Sequence, residues 1–163
     1  MSLPLHALVV HVPMALAVLL PLVAIAALWS LRRGRRPGGA WLALVAVQAV
    51  LVGSAFAAMN TGEREEERVE RVVPENVIHE HEEFAEQFTW AAGSVLLLSL
   101  LAFVPRERAA RAAVIVTVVG TFLVAALGVR VGHAGGELVY VHGAASAYVS
   151  KPPASPPPDS NEH

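Results

Sequence analysis

LHALVVHVPMALAVLLPLVAIAALWSL, residues 5–31, followed at once by RRGRR, residues 32–36, decides the fold of this chain. A helix needs about 20 consecutive apolar residues to cross a bilayer, and this run exceeds that without one Asp, Glu, Lys or Arg. No basic segment precedes it, and it is longer than a signal-peptide core of roughly 7–15 residues. It therefore reads as a retained span. Pro13 and Pro21 remove backbone donors inside it and predict kinks, and the arginine cluster with Pro37-Gly38-Gly39 ends it.

Three more runs of the same kind follow, at about Ala40–Asn60, Phe84–Val104 and Ala112–Val131. Composition agrees: 55% of the 163 residues are hydrophobic and only 16% are charged, against roughly 25% charged in soluble domains. The expected fold is all-α, a four-helix transmembrane bundle over residues 1–149 with a helical acidic connection between spans two and three. Residues 150–163, rich in proline and polar side chains, read as a disordered tail. Gly53, Gly93, Gly120 and Gly128 fall inside spans two, three and four, where small residues let helices approach closely.

Charge sets the expected topology. The two short loops hold Arg32, Arg33, Arg35, Arg36 and Arg106, Arg108, Arg111 against one acid, Glu107, which assigns both to the cytoplasm by the positive-inside rule. Both termini and the Thr61–Glu83 connection then lie outside, in the periplasm of a bacterial inner-membrane protein. Within that connection Glu63–Val73 reads as one solvated helix, broken by Pro74, and a second helix starts at Glu75. From Glu75 on, His81 shares a face with Phe84 and Phe88, whereas His79 falls among acids.

No cysteine is present, which excludes disulfides, thiolate metal sites and covalently attached haem from this chain. Histidine and carboxylate remain as ligands. Six of the seven histidines fall at the periplasmic level: His6 and His11 in span one, His79 and His81 above span three, His133 and His142 in the glycine-rich stretch GHAGGELVYVHG, residues 132–143. His6 reads as an interfacial residue and His79 as a solvated one. His11 lies within the span and needs a partner, and His133 and His142 flank glycines that let the chain turn after span four. The candidate ligands are His11, His81, His133 and His142, with Glu63 and Glu82 added for a metal ion and Glu137 for orientation.

These pieces resemble an uncharacterised family of small four-span bacterial membrane proteins. The residues that carry the resemblance are Leu5–Leu16, Thr61-Gly62-Glu63, His81-Glu82 and, most specifically, Gly132–Gly143. Some proteins with similar domains also carry c-type cytochrome modules, which implies a redox setting. This chain lacks Cys-x-x-Cys-His, so an electron partner would be a separate protein.

Three functions compete. The first is electron transfer by haem b held between histidines of facing helices. The second is a zinc, copper or iron ion bound by histidine and carboxylate, and the third is a cofactor-free structural or sensing role. No catalytic arrangement stands out: His79-Glu-His-Glu-Glu83 lacks the spacing of a His-Glu-x-x-His helix. The expected surroundings are the lipid bilayer and a redox protein partner, without nucleic acid, and self-association is left open.

Overall fold

A computed structural model describes residues 4–32 and 38–149; residues 1–3, the arginine-rich 33–37 and the proline-rich 150–163, read from sequence as a disordered tail, lie outside the described residues. Five α-helices follow in order: α1 Leu5–Val9, α2 His11–Arg32, α3 Gly39–Val69, α4 Glu75–Leu100 and α5 Glu107–Tyr140. Short 3-10 turns, Leu101–Phe103 and Ala144–Tyr148, follow α4 and α5. With α1 and α2 counted as one span, four helices are long and apolar enough to cross a membrane.

Each long helix packs on two neighbours, α2 on α3 and α5, and α4 on α3 and α5. The result is a square, up-down-up-down bundle. Its seams advance in steps of three and four: Ala17, Leu20, Ala24 and Ala27 on α2; Trp41, Leu44, Gln48, Leu51 and Ala55 on α3; Phe88, Ala92, Val95 and Ser99 on α4; Thr117, Thr121, Val124, Gly128 and Val131 on α5. That spacing keeps one stripe of each helix facing its partners. The outward residues are as apolar as the seams, among them Leu22, Trp29, Leu42, Trp90, Leu97, Phe122 and Val129. Only lipid is a suitable neighbour for such a surface.

Two of the four glycines inside the spans serve close packing. A Cβ on Gly120 would stand 2.6 Å from Val95 Cγ2, and one on Gly128 would stand 3.3 Å from Ala17 Cβ. Gly53 and Gly93 have nothing within 4 Å of that position.

The helices are longer than the spans the sequence marks. At about 1.5 Å per residue, the 31 residues of α3 and 34 of α5 exceed the roughly 30 Å hydrocarbon core by several turns. The acidic connection is therefore no separate helix at Glu63–Val73. It is the continuation of α3, because Thr61-Gly62 contains no proline and every intervening amide keeps its helical acceptor. The chain turns only between Glu70 and Pro74. The stretch after span four is likewise helical through Gly132, Gly135 and Gly136, and the first left-handed residue is Gly143, with φ 70°. Buried Val73, Ile78, Leu138 and Ala144 form a second small core that ties these extensions together. We refer to this end of the bundle as the cap.

The expected break at Pro13 falls at Val10. Lacking an N–H, Pro13 leaves the Val9 carbonyl without its helical donor, whereas Val10 N–H bonds the His6 carbonyl at 3.1 Å and Met14 N–H the Val10 carbonyl at 3.2 Å. The first span is thus a short α1 joined to α2 through the single turn residue Val10, which keeps helical φ and ψ, and α1 packs against α3.

Candidate functional site

His6 of α1 lies beside His81 of α4. Their ring centres are 6.3 Å apart and their planes stand at 87°. Both side chains are half-buried in the cap.

The backbone engages one nitrogen of the His6 ring. His6 Nδ1 lies 2.9 Å from the Ala58 carbonyl oxygen; because a carbonyl only accepts, that nitrogen carries the proton and Nε2 keeps its lone pair. Thr61 hydroxyl stands 3.4 Å from the same Nδ1 and donates to the Ala58 carbonyl at 2.8 Å. His81 Nδ1 is buried without a hydrogen-bond partner. One nitrogen held by a carbonyl and the other left open, as in His6, is how metal-ligating imidazoles are oriented.

Two glycines admit the rings. A Cβ on Gly62 would come 3.3 Å from His6 Nδ1 and Cε1, and one on Gly135 would come 3.2 Å from His81 Cε1. Both glycines sit inside helices, where glycine costs about 1 kcal/mol against alanine, and the close approach of an imidazole is what each provides.

Glu65, one turn beyond Thr61, fastens the chain ends over the pair. Its Oε1 accepts the amides of Leu5 at 2.7 Å and His6 at 3.3 Å, and its Oε2 accepts the Tyr148 hydroxyl at 2.8 Å. Burial first, then the Glu65 hydrogen bond and charge, push the Tyr148 phenol up to about 12, against the opposing charge of Arg68. The Arg68 guanidinium lies 5.4 Å from the centre of the Tyr148 ring.

The other candidate ligands do not gather here. His11 is exposed on the outer face of α2, in a shallow apolar groove with Val10, Met14, Ala15, Val18 and Leu19. His133 is exposed, with Nε2 3.5 Å from Glu137 Oε1 on the next turn of the same helix. His142 is half-buried past the end of α5, its amide bonded to the Glu137 carbonyl. Glu63 is exposed and Glu82 half-buried, and among the described residues no three His, Asp or Glu side chains converge to hold a metal ion. His79 is exposed while His81 faces inward, as the phase from Glu75 requires. His6 is the residue that sequence reading undervalued. A signal for it was present in Gly62 and Gly135, two helix-interior glycines that need a packing reason.

The fold defines a multi-pass helical membrane protein in which the His6 and His81 imidazoles face one another at one end of the bundle. The chain belongs to the family described as predicted membrane protein (DUF2231), which it matches over residues 2–147. No curated protein and no solved structure matches it.

Proposed function

We propose that this protein is an electron-transfer component of the bacterial inner membrane that binds haem b, which His6 and His81 would hold. The observation that carries this reading is the pair itself, two imidazoles from different helices with ring centres 6.3 Å apart, His6 with its Nδ1 on the Ala58 carbonyl and His81 with a buried Nδ1 that has no hydrogen-bond partner. His6 and His81 would hold the iron of such a group, which when bound would supply one-electron chemistry. The chain's own residues orient the His6 imidazole through Ala58 and leave room for the two rings through Gly62 and Gly135.

His11, His133 and His142 become secondary candidates in this reading. Glu63 and Glu82 directly follow Gly62 and His81 in sequence. The arginines at 32–36 and 106–111 support a cytoplasmic location for the opposite end of the bundle. The cap then faces the periplasm, where a separate redox protein exchanges the electron.

The test is the absorption spectrum of the protein purified in detergent and reconstituted with haemin, followed by elemental analysis. A Soret band that is lost in His6→Ala and His81→Ala, and kept in His11→Ala, His79→Ala and His133→Ala, is the expected result. Bound zinc, copper or iron without a Soret band would replace haem by a metal ion. Neither haem nor metal would leave the structural or sensing role.

A further inference from the structure

His6 stands on a helix that does not set its own direction. The five residues of α1 are far short of the roughly 12–15 that sustain an isolated helix, and Pro13 leaves the Val9 carbonyl at its end without a helical donor. Its first amides have no intrahelical acceptor, and Pro4 before them offers no side-chain cap. An outside group therefore decides where the His6 ring lies.

That group is Glu65, which meets the Leu5 and His6 amides with one oxygen and the Tyr148 hydroxyl with the other. The three donors come from opposite ends of the described chain, 60 and 83 residues away from Glu65 in sequence. We propose that Glu65 is the positioning residue of the histidine pair: by tying α1 and the segment after α5 to α3, it holds the His6 imidazole on the Ala58 carbonyl and facing His81. The inference rests on the reading of His6 as a ligand, and it assigns Glu65 no contact with the bound group.

The chemistry of the side chain makes the idea specific. A carboxylate accepts with both oxygens, as three donors require. Glutamine conserves the arrangement: its carbonyl oxygen accepts the α1 amides, and its amide N–H donates to the phenol oxygen. Alanine removes both ties, and Tyr148→Phe removes only one.

The experiment uses the full chain in detergent with ¹⁵N-labelled histidine, hydrogen exchange of the Leu5–Val9 amides, and haemin titration. Glu65→Ala is expected to turn the fixed Nδ1–H tautomer of His6 into an averaged one and to speed α1 exchange. It should also lower haemin affinity by at least about tenfold, the usual scale for losing a ligand's supporting partner. Glu65→Gln should restore all three, and Tyr148→Phe should fall between. If Glu65→Ala does not fold, Glu65→Asp, one methylene too short to reach both segments, is measured in its place.

A fixed His6 tautomer and unchanged α1 exchange in that variant would overturn the proposal. So would a freed α1 with unaltered haemin affinity and spectrum, since Glu65 would then only fasten the cap. Should the unmodified protein take up no haem, the haem reading fails. The NMR and exchange arms then decide the tie alone: loss in Glu65→Ala with recovery in Glu65→Gln upholds it, and persistence refutes it.

Discussion

Replacing Gly135 by alanine tests the contact between α5 and His81 directly. Alanine in a helix interior is favoured over glycine by about 1 kcal/mol, so with open space around it the change would stabilise the protein. Here the new Cβ would lie 3.2 Å from His81 Cε1, closer than carbon atoms pack, and the ring or α5 must give by a few tenths of an ångström. Overpacking of this kind costs about 1–3 kcal/mol, which offsets the gain and leaves a net change between zero and a loss of about 2 kcal/mol. Gly136, the next residue of the same helix, has nothing within 4 Å of a Cβ, and its alanine variant receives the gain alone. The stability of Gly136→Ala should exceed that of Gly135→Ala by about 1–3 kcal/mol, read from unfolding in mixed micelles or by steric trapping. Gly135→Ala should also weaken haemin binding, whereas Gly136→Ala should leave it unchanged. If the two variants agree within about 0.5 kcal/mol, the error of such comparisons, the ring does not pack on α5 as described.

Three further outcomes are expected. Gly120→Ala places a Cβ 2.6 Å from Val95 Cγ2, and because a β-branched side chain cannot swing away, the loss should reach about 1–3 kcal/mol, against a gain for Gly93→Ala in the same unfolding assay. The Tyr148 phenol, raised to about 12, contributes stability that is complete below the ordinary tyrosine value near 10 and is lost as pH rises toward 12. Phenolate absorbance of the native protein, with the Tyr148→Phe curve subtracted, should show that late ionisation, and Tyr148→Phe should remove its share of the alkaline loss. Single cysteines at Ser2, exposed Glu67 and Ser155 should all label from the periplasmic side, since the chain has no cysteine of its own; labelling of Glu67 and Ser155 from opposite sides would refute the topology.

The number and order of the spans were legible in the sequence, because lipid imposes a length and a composition on every helix that crosses it. The inward face of His81 was legible for a similar reason: from Glu75 onward the 3.6-residue period places it with Phe84 and Phe88 and sets His79 apart. Such periodicity is a local property, and it does not say where a helix ends when no proline intervenes. The tertiary structure alone shows that α3 runs on to Val69 and α5 to Tyr140, because the small core of Val73, Ile78, Leu138 and Ala144 stabilises extensions that the charged and glycine-rich sequences would not hold alone. It alone also selects among the histidines. His11 and His133 turn outward, and His6 is brought to His81 by contacts with Ala58, Gly62 and Glu65. Those partners lie more than 50 residues away in sequence, so their influence on His6 is a consequence of how the helices are packed and leaves no mark in the pattern around it.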